Sequence, residues 1–320
     1  MTGEENVRPS AYLHRSFFIV GPTATGKSEI AAEVARLLDA EILSADAFQI
    51  YCGLDLLSAK PGPPTLAKVP HHLIGTISVA EEMNVERFRR LALRTIDEIH
   101  SRRKLVIVVG GSGLYVKALT HGLSAMPSVD PKVREKLNEL SLDQLRLRLC
   151  ELDPQSVRKI DLKNRRRVAR ALEICLITGE PASQVVAGIG DSGQPRPPIA
   201  AKGVFVFPDR DELYQRINQR VEAMFDRGVI EEVRAVGGMS ETASQMIGLR
   251  EIRQLLDGKM SILQCVAQIQ QATRHYAKRQ LTWFRHQTNF EPLNLSLLTH
   301  TEALKRISQL AKAFGVGARE

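Results

Sequence analysis

Four cysteines in 320 residues, Cys52, Cys150, Cys175 and Cys265, stand far apart, with no C-x-x-C pair and no histidine pair at metal-binding spacing nearby. Such scatter gives no support for a disulfide framework or a cysteine-based metal site, and four free thiols suit a reducing cytoplasm. Long hydrophobic runs are also missing. The longest uninterrupted aliphatic stretch, Leu105 to Val109, is far too short to span a bilayer. The first apolar run leads straight into a glycine loop, so no signal peptide is expected, and no membrane partner. No internal repeat recurs along the chain. What the chain does have is an ordinary apolar share, 43%, and an excess of basic over acidic residues, 44 against 36, for a net charge of +8. Its length suits one large domain or two modest ones. The basic excess is compatible with a polyanionic partner.

Residues 17–38, "FFIVGPTATGKSEIAAEVARLL", read as a strand, a glycine-bracketed loop and an amphipathic helix. The loop fits G-x-x-x-x-G-K-[ST] through Gly21, Gly26, Lys27 and Ser28, and a strand before with a helix after is its confirming context. The two glycines let backbone amides converge on one point, and the helix N-terminus adds its positive end. Lys27 neutralises phosphate charge, and the Ser28 hydroxyl can ligand Mg²⁺. Further strands are expected at 41–44, 72–75, 104–111 and 202–207, with a helix over 84–101 capped by Asn84. Strands alternating with helices predict an α/β fold on a parallel sheet. From Pro131 to Glu180 the pattern is helical, and 188–198, "GIGDSGQPRPP", reads as a loose segment. The expected organisation is a discontinuous P-loop core over 15–120 and 201–290, a helical insertion over 121–200, and variable termini at 1–14 and 291–320.

The strand at 105–109 ends in Gly110-Gly111-Ser112, with no Asp where a nucleotide hydrolase usually holds Mg²⁺. A carboxylate instead follows the second strand, Asp46. Strand C-termini of a parallel sheet line one crevice, so Asp46 and Ser112 are expected beside the phosphates. Asp46 reads either as a metal ligand or general base, or as a helix cap. The basic excess is local. Arg158 to Arg170 holds seven basic residues against one acid, and Arg274 to Arg285 holds four against none, together more positive than the whole chain. A localised excess points to a binding surface. In the second cluster, "TRHYAKRQLTWFR", Arg274, Lys278, Leu281 and Arg285 share a helical face at ~100° per residue. Tyr276, Trp283 and Phe284 are interleaved, either to stack an RNA base or, the preferred reading, as core.

At this point the residues resemble the tRNA dimethylallyltransferase family. The carriers are "GPTATGKS" (21–28), "DAFQIYCGLDLLSAKP" (46–61), "GGSGLYVKALTHGL" (110–123), "NRRRVARALEI" (164–174), "LYQRINQRVEAMF" (213–225), "QMIGLREI" (245–252) and "TRHYAKRQLTWFR" (273–285). They occur in the family's order and cover roughly residues 15–290. The resemblance implies a prenyltransferase that moves a dimethylallyl group from dimethylallyl diphosphate to the exocyclic amine of the tRNA adenosine just 3′ of the anticodon, with Mg²⁺. Gly21, Pro22, Thr23, Ala24, Thr25, Gly26, Lys27 and Ser28 would then hold the diphosphate, Ser28 through the metal. Asp46 would be the general base, and Lys27, Ser112 and Arg220 would complete the catalytic set, with Arg216 the weaker choice of arginine. The anticodon stem-loop would be bound by Asp46, Ala47, Phe48, Gln49, Ser112, Arg134, Arg165, Arg166, Arg167 and Arg170. By the same analogy Gln245, Met246, Ile247, Gly248, Leu249 and Arg250 would join them, as would Lys278, Arg279, Gln280, Leu281, Thr282, Trp283, Phe284 and Arg285. A cytoplasmic monomer is expected.

The chain departs from the family pattern at Ala47 and Phe48, where Ser and Arg are more common, at Leu57 in place of Gly, at Asn164 in place of Asp, and at Ser112 in place of Thr. The first two lie beside the expected base and bear on how selectively the target loop is read. Three rivals share parts of this pattern. A prenyltransferase acting on free adenine nucleotides would not need the basic insertion. A small-molecule P-loop kinase would need a nucleotide-base pocket. A non-catalytic RNA-binding protein with a relict loop would not need Lys27, Ser28 and Asp46 intact.

Overall fold

A computed structural model of the chain describes residues 16–123, 130–186 and 201–316. The expected frayed start, 1–14, and the loose segment, 188–198, lie outside the described residues. The chain divides into two compact units, Met1–Thr120 with Ile199–Glu320, and His121–Pro198.

The first unit is built on six strands: β1 (Ser16–Val20), β2 (Glu41–Ser44), β3 (His71–His72), β4 (Val106–Gly110), β5 (Lys202–Phe207) and β6 (Glu291–Asn294). Their order is β3-β2-β4-β1-β5-β6, and every pairing is parallel. A parallel sheet covered on both faces needs strands apolar on both sides. The strands supply this: Phe18, Val20, Val106 and Val108 enter one core, while Phe17, Ile19, Ile107 and Val109 enter the other. Helices α1 (Lys27–Leu37), α2 (Pro63–Leu66), α3 (Val85–Ser101) and α4 (Gly113–Thr120) belong to the first half of this unit. Asn84 caps α3 as expected, its side chain accepting from Arg87 N. The third strand is shorter and earlier than expected. His71 and His72 pair with Ile42 and Leu43, and Leu73, at φ 59°, turns the chain out of extended backbone.

The second unit holds α5 (Pro131–Glu139), α6 (Leu142–Leu152), α7 (Pro154–Lys159) and α8 (Arg165–Thr178). Asp130, Ser141, Asp153 and Asn164 cap their N-termini, each accepting from a first-turn amide. Leu137, Leu145, Leu149, Val168 and Leu172 form its own small core.

After β5 come α9 (Arg210–Asp226), α10 (Val229–Ala235), α11 (Leu249–Leu256), the long α12 (Ile262–Gln287) and α13 (His300–Val316). The expected variable tail at 291–320 needs correction. Its first residues form β6, which pairs with β5, and α13 packs on α1 and buries Ile307 and Ala311 in the core. The strand went unread because a four-residue stretch containing Pro292 carries little local signal.

Candidate active site

The strand register sets the site. Val20 lies opposite Gly110, and Ser44 opposite Val109, so three loops leave the sheet at one level. The first is the glycine loop. A Cβ on Gly21 would sit 2.1 Å from the Val206 carbonyl oxygen, so only glycine fits there. Gly26, at φ 79°, starts α1 in a left-handed conformation, and Ala24 adopts φ 64° without glycine's freedom. The loop closes on itself: Thr25 Oγ1 and Lys27 Nζ both donate to the Pro22 carbonyl, each at 3.1 Å.

In front of the loop lies a cleft of about 770 Å³, lined also by Asp46 and Gln49 and by Arg216 and Arg220 of α9. Burial lowers the Lys27 ammonium to about 8, with Arg220 adding to the shift and Asp46 and Glu29 opposing it. Burial also lowers Arg220, again against the pull of Asp46 and Glu29. The two arginines of α9 differ. Arg216 is paired with Glu212 at 2.6 Å and reaches the Thr25 carbonyl at 3.4 Å. Arg220 is half-buried, and its Nε is enclosed with no hydrogen-bond partner among the described residues. An enclosed guanidinium nitrogen left without a partner beside an anion loop is a costly arrangement unless a ligand completes it.

Asp46 follows β2 and is half-buried. Its Oδ1 accepts from the Phe48 and Gln49 amides at 3.0 and 3.3 Å, so it caps a turn and not a helix, and it also lines the cleft. Oδ2 has no hydrogen-bond partner among the described residues. Ser112 is buried, and its Oγ accepts from Ala47 N at 2.9 Å, which ties the third loop to the Asp46 turn. Tyr276 of α12 has its hydroxyl beside Ser112 and Gln280, and burial, with Asp46 next, raises its pKa. A narrower cavity of about 60 Å³ joins Asp46 and Arg220 to apolar walls from Phe48, Leu57, Met246 and Ile269.

Among the described residues no three His, Cys, Asp or Glu side chains gather as a metal cage. Mg²⁺ needs none, because one or two protein oxygens plus substrate phosphates suffice. Ser28 and Asp46 both line the cleft and offer hard oxygens, so this donor set fits.

Several residues expected at an RNA surface are placed otherwise. Met246, Gly248, Leu249, Gln280 and Phe284 are buried and present no free surface to a polynucleotide. Gln280 instead accepts from Thr23 N at 3.0 Å and donates to the Gly111 carbonyl at 2.8 Å. The Thr23 amide, expected to face the diphosphate, is taken by that bond. Arg165 donates to the Leu137, Asn138 and Leu140 carbonyls and thereby closes the C-terminus of α5. Arg134 and Arg170 both pair with the buried Glu173, a partner four or fewer residues from one of them and remote from the other. Arg166 and Arg167 remain exposed on α8. On α12, Lys278, Arg279, Thr282 and Arg285 are exposed, with Arg285 over the Phe207 ring, while Leu281 and Trp283 are half-buried. The Trp283 ring packs where a Cβ on Gly113 would approach to 2.4 Å. Gln245 and Arg250 are exposed, Arg250 paired with Glu251, and Ile247 is half-buried. Two roles went unread in the sequence. One is the Gln280 bridge. The other is Glu232, whose carboxylate accepts from Leu56 N and Leu57 N at 2.8 and 2.9 Å and holds the segment after Asp46. No local signal could have found it, since its partners lie 175 and 176 residues away.

The chain is similar to known proteins over most of its length. A family model described as IPP transferase matches residues 49–287. A tRNA dimethylallyltransferase of Akkermansia muciniphila is 41% identical over 272 residues, spanning 85% of this chain and 90% of that one. One from Christiangramia forsetii is 39% identical over 274 residues, spanning 83% and 89%. The solved full-length tRNA isopentenylpyrophosphate transferase of Bacillus halodurans superposes with a TM-score of 0.68 at 32% identity, covering 96% of this chain and 98% of that one. A eukaryotic dimethylallyltransferase caught acting on tRNA shares the fold, with a TM-score of 0.75 at 23% identity, covering 95% and 80%. Matched over about three quarters of its length by the family model and over more than four fifths by relatives about 40% identical, the chain belongs to the IPP transferase family, the tRNA dimethylallyltransferases.

Proposed function

We propose that this protein transfers the dimethylallyl group of dimethylallyl diphosphate to the exocyclic amine of the tRNA adenosine immediately 3′ of the anticodon, giving isopentenyladenosine and diphosphate. The observation that carries the reading is the cleft itself, where the glycine loop with Lys27 faces Arg220, whose enclosed Nε has no partner among the described residues, with Asp46 at its edge. The amine is a poor nucleophile because its lone pair is delocalised into the ring. An allylic diphosphate offsets that weakness by leaving readily. As the bond from nitrogen to the allylic carbon forms, the bond from that carbon to the diphosphate oxygen breaks, and negative charge builds on the departing group. Lys27, Arg220 and the loop amides are placed to stabilise that charge. Asp46 receives the amine proton through Oδ2, while Oδ1, held by two amides, keeps the carboxylate aimed. Mg²⁺, when bound, would be held by Ser28 and would supply further neutralisation of the diphosphate.

The adenosine must leave the anticodon-loop stack to reach Asp46. Exposed basic residues on α8 and α12 supply contacts to the phosphates of the stem-loop. A cytoplasmic monomer belongs to the same reading. The test is incubation with labelled dimethylallyl diphosphate, Mg²⁺ and unmodified tRNA, beside AMP and ATP as acceptors. Label is expected on tRNA alone. Label on the free nucleotides would keep the cleft chemistry and overturn the RNA acceptor. Transfer to none of them would remove the reading.

A further inference from the structure

Gln280 sits on α12 in the middle of a run whose neighbours, Lys278, Arg279 and Thr282, are exposed, yet it is itself only 5% exposed. Its amide is used at both ends. Oε1 accepts from Thr23 N, inside the glycine loop, at 3.0 Å. Nε2 donates to the Gly111 carbonyl, in the turn after β4, at 2.8 Å. Neither partner can be exchanged by flipping the amide, because one is a donor and the other an acceptor. The fit is tight: a Cβ on Gly111 would fall 2.3 Å from Gln280 Nε2 and 3.0 Å from the Gly21 carbonyl oxygen. Gly111 precedes Ser112, whose hydroxyl holds the Ala47 amide beside Asp46. One buried side chain therefore joins the loop that faces the diphosphate to the turn that steadies the base.

We infer that Gln280 is a positioning residue for donor binding, fixing the glycine loop through Thr23 and Gly111, and not a contact to RNA. The inference rests on reading that loop as the diphosphate site. Removing the amide leaves a half-buried donor and a buried acceptor unsatisfied, which destabilises the present loop geometry. The cost is relieved by letting the loop shift, so it appears in donor binding.

Two variants test this. Gln280→Met keeps length and loses both bonds, and Gln280→Glu keeps the acceptor for Thr23 N but repels the Gly111 carbonyl. Each is titrated with inorganic diphosphate and Mg²⁺ by calorimetry, then assayed for KM toward dimethylallyl diphosphate and toward tRNA. Gln280→Met is expected to weaken diphosphate binding and raise the donor KM by ~10-fold or more, the equivalent of 1.4 kcal/mol. Its KM for tRNA should stay close to wild type, and Gln280→Glu should fall between. Unchanged diphosphate affinity in both variants, or donor and tRNA KM rising together, would overturn the inference. If Gln280→Met does not fold, Gln280→Glu alone is decisive on the same outcomes. A wild-type protein that binds no inorganic diphosphate would overturn the loop reading and this inference with it. A wild type that binds, with variants that bind equally, would remove only the role of Gln280.

Discussion

Arg220 illustrates how a residue's cost can reveal its use. An enclosed Nε with no partner among the described residues destabilises the unliganded protein, because that donor has lost water without gaining an acceptor. Arg220→Met should therefore lower turnover by ~10²-fold or more, the scale of a lost charge-stabilising group, while leaving the melting temperature of the free protein equal or higher. A lower melting temperature with normal turnover would mean the arginine is structural. Asp46→Ala should lose ~10²-fold or more in turnover while tRNA binding persists, as expected for a positioned base. Gel-shift and single-turnover measurements on one preparation separate those two effects. Lys27 makes a pH prediction. Its folded value of about 8 lies below the ordinary 10.5. The folded free protein is thus penalised for carrying the charge below about 8, and the penalty fades as pH rises toward 10.5. A bound diphosphate reverses the shift by favouring the ammonium. Binding just above pH 8 should then take up a proton, seen as heat that depends on buffer ionisation and is absent in Lys27→Met.

At the scale of elements, α8 shows why a cluster of arginines is not one surface. Arg165 points back to the end of α5 and donates to three carbonyls, so its charge serves the helix terminus. Arg170 shares Glu173 with Arg134. Arg166 and Arg167 are the exposed members of the triplet. Replacing Arg166 and Arg167 by Gln should flatten the salt dependence of tRNA binding by about one unit of log–log slope for each lost phosphate contact. Arg165→Ala should instead destabilise the helical unit by ~1.5–3 kcal/mol per lost bond at most, with a smaller change in slope. Filter binding across a salt series together with thermal melts distinguishes the two. Equal slopes for Arg166→Gln/Arg167→Gln and wild type would remove α8 as an RNA surface.

For the whole molecule, the decisive element is the one that looked peripheral. β6 completes the sheet beside β5, and α13 seals the face carrying α1. Leu293 and Ile307 are buried there, at 2% and 0% exposure. Burying such side chains contributes ~1.5–3 kcal/mol each, a large share of a marginal total of ~5–15 kcal/mol. A chain ending at residue 290 would also bare the β5 edge. It is expected to be insoluble, or to bind a hydrophobic dye and melt without a cooperative transition. A soluble, cooperatively melting truncation would show that the tail is dispensable after all.

The sequence by itself determined the sheet strands at 41–44 and 202–207, the loop from Gly21 to Ser28, the placing of Asp46 and Ser112 together at the C-terminal ends of the strands, and the family resemblance. These are local signals: apolar runs, glycines at fixed spacing, a hydroxyl or carboxylate just past a strand. Tertiary structure alone decided the rest. It set the surroundings of Arg216 and Arg220, one helical turn apart, the first paired with Glu212 and the second with an enclosed Nε that has no partner among the described residues. It turned Gln280 inward to partners 257 and 169 residues away, and Arg165 back onto a neighbouring helix. It packed β6 and α13 against the core through Leu293, Ile307 and Ala311. Each of those outcomes depends on which polar atom is left without water once the chain has packed, and that is a property of the folded surface, not of any stretch of sequence.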